Sequence, residues 1–229
     1  MSTEQQSTAL LLFLRNEQDE ARCKPLAGSR KASAALFQRL NRYTLKQARR
    51  TGLPFFIIQG DQQVGATFGE RFANAYQSVF DLGYERVIAI GNDCPELNTG
   101  LLLQAVHQLE RRTMVLGPTR DGGAYLIGLQ RTAFDRAAFA NLPWQTDTVY
   151  VALQALADHP IAVLSTSFDI DKTQTLRRQF WRVPAALRRV LSRLMGQEIA
   201  AVFQLHWTAF RSAFLRSIGL RAPPSRAFL

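Results

Sequence analysis

The stretch Arg86-Val87-Ile88-Ala89-Ile90 is aliphatic without alternation from Val87 onward and runs directly into Gly91-Asn92-Asp93-Cys94-Pro95-Glu96-Leu97. A run with no polar face fits a strand covered on both sides, as in the parallel sheet of an α/β protein. It does not fit the half-solvated strand of an antiparallel sandwich. Gly91 frees the backbone to turn where the strand stops. Open α/β sheets bind ligands at the carboxyl ends of their strands. Asp93 therefore sits where a carboxylate can meet Mg²⁺ or Mn²⁺, with substrate phosphates completing the ligand shell. The competing reading is that Asp93 and Pro95 only cap a helix that begins near Asn98.

Two more strands end in the same way. Met114 to Pro118 leads into Thr119-Arg120-Asp121-Gly122-Gly123, where two glycines permit close backbone approach to a ligand. Ile161 to Ser165 leads into Phe168-Asp169-Ile170-Asp171-Lys172. In a parallel sheet Asp93, Asp121 and the Asp169/Asp171 pair converge on one rim, and alternation turns only one member of the pair toward a metal. The periodicities predict strands at 8–14, 54–58, 86–90, 113–117, 123–129 and 161–165. They predict helices at about 31–51, 69–82, 98–111 and 145–158. This alternation predicts a three-layer α/β/α sandwich with a mostly parallel sheet.

The chain resembles the DUF2064 group of the GT-A superfamily, proteins described as glycosyltransferase-like or nucleotide-diphospho-sugar transferase-like. The resemblance rests on Gly91 to Leu97, on Leu116-Gly117-Pro118 with Asp121 to Leu129, on Thr67 to Phe72, on Pro143-Trp144 and on Asp169-Ile170-Asp171. Together these segments cover roughly residues 8 to 175. The resemblance implies a GT-A-like sheet in which the strand Tyr125 to Leu129 is antiparallel. It implies a nucleotide-activated donor, a divalent metal on Asp93 and Asp171 (Asp169 being the alternative of the pair), and Asp121 facing the acceptor. Lys24-Pro25-Leu26 is similar to the lysine-proline-leucine of sugar nucleotidyltransferases, which implies that Lys24 steadies phosphates with Arg15 or Arg22. At the first loop the chain departs from the family. Many members have a basic loop with proline and glycine there, whereas residues 15–24 hold Glu17, Asp19 and Glu20 and no glycine.

On these grounds Asp93 and Asp121 are the catalytic candidates, and Asp93, Asp171 and Asp169 the metal candidates. Arg15, Arg22, Lys24, Arg71, Gly122 and Gly123 are the donor-binding candidates. Arg71 at a helix start suits bidentate phosphate recognition, or it pairs structurally with Glu70 or Asp93. Pro143-Trp144 packs over the pocket rim or stacks on a base. Three functions follow: glycosyl transfer from a nucleotide sugar to a small or lipid-linked acceptor, nucleotidyl transfer with pyrophosphate release, and nucleotide binding without catalysis.

Charge divides the chain. Residues 172–229 hold 11 Lys and Arg against a single acidic residue, Glu198, and this accounts for the whole net charge of +10. The shift places a boundary near Thr173, with a GT-A-like domain over 1–172 and a basic helical extension over 173–229. Pro184 to Met195 sets Arg188, Arg189 and Arg193 against Leu187, Val190, Leu191 and Leu194, and a second helical pattern runs from Ile199 to Phe214. One reading lays this tail on an anionic membrane surface; the other packs it on the core. Arginines alternating with bulky apolar residues make no polar groove, so nucleic acid is not an expected partner. Cys23 and Cys94 build no disulfide framework, and His107, His159 and His206 match no metal spacing. No leader pattern and no run of ~20 apolar residues is present. The expected location is cytoplasmic, peripheral to the inner membrane face if the tail binds there.

Overall fold

The computed structural model describes residues 7–195. The second helical pattern of the tail, Ile199 to Phe214, lies outside them. Within the described residues, β1 (Thr8–Leu14), β2 (Phe55–Gln59), β3 (Arg86–Ile90), β4 (Met114–Pro118), β5 (Ala124–Gln130) and β6 (Ala162–Val163) form one sheet in the order β2-β1-β3-β5-β4-β6. β5 is antiparallel to both of its neighbours, and the remaining pairs are parallel. Leu12 is level with Ile57 and Ile90, so β1, β2 and β3 end on one rim.

Pleating sends alternate residues of each strand into two separate cores. Ala9, Leu11, Val87, Ala89, Leu116 and Ile127 meet Phe72, Tyr76, Phe80 and Phe139 on one face. These aromatics come from α3 (Phe68–Asp81) and α5 (Arg136–Ala140), and α6 (Val149–Ala155) adds Val149 and Leu153. Leu10, Leu12, Ile88, Ile90 and Val115 meet α2 (Arg30–Arg50) and α4 (Thr99–Leu109) on the other face. This is the predicted three-layer sandwich, and the unalternating run Val87 to Ile90 is buried throughout. The helix after β3 is capped by Asn98, whose Oδ1 accepts the Leu101 amide at 3.1 Å. Asp93 has no capping task.

Three features differ from the sequence reading. The first loop contains a helix, α1 (Glu17–Cys23), begun by Asn16 accepting the Gln18 amide at 2.8 Å. Its acidic first turn, Glu17, Asp19 and Glu20, suits the positive end of the helix dipole. The predicted helix at 145–158 starts only at Val149, because Gln145 takes a positive φ of 65°. The predicted strand at 161–165 pairs as two residues only, after which Ser167 bridges Thr119.

The start of the basic extension packs on the core. α7 (Thr173–Gln179) and α8 (Ala185–Met195) place Leu176, Leu187 and Leu191 in a third cluster with Leu36, Phe37 and Leu40 of α2. Arg182, between these helices, clamps Glu96 with two bonds of 2.7 Å and lies over the Phe168 ring. Leu187 and Leu191, which a membrane-bound helix would place among lipid headgroups, are occupied in this cluster. Among the described residues no helix is long and apolar enough to cross a membrane. Leu191→Ala should therefore cost about 2–4 kcal/mol in chemical denaturation, as for a truncated core leucine. A loss below about 0.5 kcal/mol, the range of surface substitutions, would mean that α8 is not held on the core.

Candidate metal centre

Backbone hydrogen bonds bring the three acidic strand ends together. The Ile170 amide donates to the Asp93 carbonyl at 2.8 Å, fixing the Asp169–Asp171 segment against the loop after β3. The Ser167 amide donates to the Pro118 carbonyl at 3.0 Å, and the Arg120 amide to the Ser167 carbonyl at 3.2 Å. These join the same segment to the loop after β4. As a result, carboxylate oxygens of Asp121, Asp169 and Asp171 all lie within 4.8 Å of one another.

The close approach has an electrostatic cost. Burial, and then the neighbouring charges of Asp93, Asp171 and Asp121, push the Asp169 carboxyl well above the usual carboxylate range, with Lys24 opposing. Asp169 Oδ1 is shut off from solvent and has no hydrogen-bond partner. A buried acceptor left unpaired is costly and uncommon. Three hard oxygen donors around such an atom suit Mg²⁺ or Mn²⁺. Asp121 is preset for this arrangement, since its Oδ1 accepts the Thr119 hydroxyl at 2.5 Å and the Gly123 amide at 3.3 Å.

The glycines after Asp121 are required by packing. Gly122 has φ +87°, and a Cβ on it would come within 1.8 Å of the Asp147 carbonyl oxygen. Its own carbonyl accepts the Tyr150 amide at 3.0 Å, which seats the start of α6 against the site. A Cβ on Gly123 would lie 2.7 Å from Thr119 Oγ1 and would disturb the bond that orients Asp121. Gly122 is thus held by the turn, and of the two only Gly123 lines the cavity.

Lys24 meets the acidic rim from the opposite side. Its Nζ donates to Asp93 Oδ2 at 3.0 Å, pairs with Glu20 Oε1 at 3.2 Å, and also pairs with Asp171 Oδ1. Burial lowers the affinity of Lys24 for its proton, but Asp93, Asp171 and Glu20 together outweigh that and raise it far above the ordinary lysine value. Asp93, expected among the metal ligands, has Lys24 as its partner, and Asp121 is the third carboxylate of the cluster.

These groups open on a cavity of about 550 Å³. Its lining includes the aromatic rings of Phe13, Phe68, Phe72 and Trp144 and the charged groups of Asp93, Asp121, Asp169, Asp171, Lys24 and Arg15. Trp144 packs edge-on against Phe72 and donates Nε1–H to the Phe139 carbonyl at 2.8 Å. Gly69 makes room for this, since a Cβ there would lie 2.0 Å from the Ala140 carbonyl oxygen and 2.7 Å from the indole. Trp144 is a rim residue by these contacts. Arg71 lines the cavity while its Nη1 donates to the Gly65 and Ala66 carbonyls, so it pairs with neither Glu70 nor Asp93. Arg22 is exposed and bonded to Asp19 at 3.2 Å, outside the cavity lining. The helical first loop explains this: positions 20 and 24 share a face of α1, and position 22 turns away.

Residues 39–146 match the model of a family described as "Uncharacterized protein conserved in bacteria (DUF2064)". That segment includes Asp93, Asp121 and Trp144 and ends before Asp169 and Asp171. Among solved structures, a candidate nucleotide-diphospho-sugar transferase from Desulfovibrio desulfuricans G20 aligns with a TM-score of 0.69 at 24% identity, over 82% of this chain and 96% of that one. A 4-diphosphocytidyl-2C-methyl-D-erythritolsynthase from Anaerococcus prevotii DSM 20548 aligns with a TM-score of 0.50 at 13% identity, over 80% of this chain and 100% of that one. At such identities the likeness establishes the fold. No curated protein matches the chain.

Glu20 is the site residue that sequence reasoning missed. In a loop it is one more repulsive carboxylate, whereas in a helix its i,i+4 spacing to Lys24 makes it a partner. Burial of Asp169 leads to a test. Because its carboxyl is raised in the fold, the native state binds the proton more tightly than the unfolded chain. The contribution of Asp169 to stability is then fully present below about pH 3.9, the free aspartate value, and is lost as pH rises toward the folded value. Asp169→Asn should remove that loss, so at neutral pH the metal-free variant should melt several degrees above the unsubstituted protein. The difference should vanish in acid, and the variant should gain nothing from Mn²⁺. Equal melting temperatures at neutral pH would contradict the raised Asp169 carboxyl.

Proposed function

We propose that the chain is a divalent-metal-dependent transferase that uses a nucleotide-activated donor. Within that class, we propose that it moves a glycosyl group from a nucleotide sugar to a small or lipid-linked acceptor. The observation that carries the reading is the Asp121, Asp169 and Asp171 cluster, with its unpartnered Asp169 oxygen, in a cavity that also presents Lys24 and Arg15. The name of the Desulfovibrio protein agrees with it.

In this reading Asp121, Asp169 and Asp171 hold Mg²⁺ or Mn²⁺, which when bound would neutralise a diphosphate and stabilise charge on the departing group. Lys24 offers its ammonium to the phosphates from a position fixed by Asp93 and Glu20. Arg15, half-exposed and 3.8 Å from Glu20, adds a second cation. Asp121 and the Gly123 backbone face the acceptor. The Phe68, Phe72 and Trp144 wall keeps water from the reacting groups. Cys94 is no nucleophile here, since burial pushes its thiol up to about 12.

The first loop favours a sugar donor over a nucleoside triphosphate. A helix carrying Glu17, Asp19 and Glu20 gives no glycine-lined amide cradle for three phosphates and repels the more highly charged ligand. Nucleoside diphosphates and nucleotide sugars should raise the melting temperature by on the order of 5 °C at saturation with Mn²⁺, and far less without it. Asp171→Asn should lose this response. Pyrophosphate release from a nucleoside triphosphate, in the presence of a sugar phosphate, would replace sugar transfer with nucleotidyl transfer. Metal-dependent binding of nucleotide sugars without turnover on any acceptor would leave a binding protein.

A further inference from the structure

Asp171 belongs to two constellations at once. Its carboxylate is one of the three whose oxygens cluster within 4.8 Å, and it is also ion-paired with Lys24. The other partners of Lys24 Nζ are Asp93 at 3.0 Å and Glu20 at 3.2 Å. An ammonium has three N–H donors, and three carboxylates surround this one, Asp93 as a hydrogen-bond acceptor and Glu20 and Asp171 as ion-pair partners. Held in this way, the charge of Lys24 is committed to carboxylates rather than to a phosphate. A doubly charged cation on Asp121, Asp169 and Asp171 would also lie close to the ammonium in a partly dry site, where like charges repel strongly. The two cations cannot both hold Asp171 at full strength.

We infer that Lys24 is a tethered counter-ion that competes with the divalent metal for Asp171, so that metal entry frees the ammonium to meet phosphate. The inference rests on the reading of the Asp121, Asp169 and Asp171 cluster as a metal site. Without metal, Lys24 neutralises carboxylates that would otherwise face one another uncompensated, which lets the rim fold unloaded. Displaced from Asp171, it stays close by. Its backbone is anchored at the end of α1, where its amide donates to the Glu20 carbonyl at 2.7 Å. The buried Glu20 carboxylate, one turn back, keeps the side chain beside the cavity. Lys24 is thus a positioning residue toward the metal, and metal alone should bind weakly because it must first displace the lysine.

Binding of Mn²⁺ to the full chain without nucleotide, followed by the spin-resonance signal of the free ion, tests this directly. Lys24→Met should bind Mn²⁺ about tenfold tighter than the unsubstituted protein. Lys24→Gln, which retains a hydrogen-bond donor without charge, should show the same direction if Lys24→Met does not fold. Arg15→Met removes a cavity cation that touches Glu20 but not Asp171, and should change affinity by no more than about twofold. Mn²⁺ binding to the unsubstituted protein with no tightening in either Lys24 variant would overturn the inference. Equal tightening in Arg15→Met would overturn it too, by showing a general field effect. If none of the proteins binds Mn²⁺, the metal reading itself fails and the inference falls with it.

Discussion

The Lys24 ammonium is the interaction on which the acidic rim depends. Glu20 is buried and Asp93 and Asp171 are partly so, and one cation touches all three. A lone buried carboxylate would shift its protonation and a group of them would push the loops apart. One lysine at the end of a short helix holds the ends of β1 and β3 and the Asp169–Asp171 segment to a common point. The charge that stabilises the empty rim is the same kind of charge that a nucleotide-sugar site needs for phosphate. Asp169 feels the lysine's charge without pairing with it, and its unpaired oxygen marks where the arrangement is incomplete.

The antiparallel β5 gives the sheet its functional geometry. Inserted between β3 and β4, it spaces Asp93 and Asp121 across the rim and fills the interval with its own residues. Tyr125 reaches the Ser165 carbonyl at 3.2 Å, and Gly117 is required beneath it, since a Cβ there would come within 2.5 Å of the ring. The segment after β6 then returns the chain to the loop after β3 through the Ile170 to Asp93 hydrogen bond. Rigid strands and backbone hydrogen bonds therefore set the carboxylate spacing. The Arg182 clamp on Glu96 extends the same network into the basic extension, so one of its arginines is used to brace the site.

The sequence by itself determined the sheet and the acidic strand ends, because both are written in local pattern. Unalternating Val87 to Ile90 and the apolar Leu10 to Leu12 required burial on two faces, and each of the three Asp-bearing segments followed a strand. Neither the helical nature of α1 nor the role of Glu20 was legible, since a short acidic segment lacks an apolar period and its packing comes from α2 and Lys24. The two readings of Asp93, cap or site residue, differed only in whether Asn98 did the capping, and only the tertiary structure decided that. It also decided that Asp121, Asp169 and Asp171 cluster while Asp93 pairs with Lys24. Residues distant in the chain come within hydrogen-bonding reach only through strand order and crossover loops, which a linear pattern does not encode.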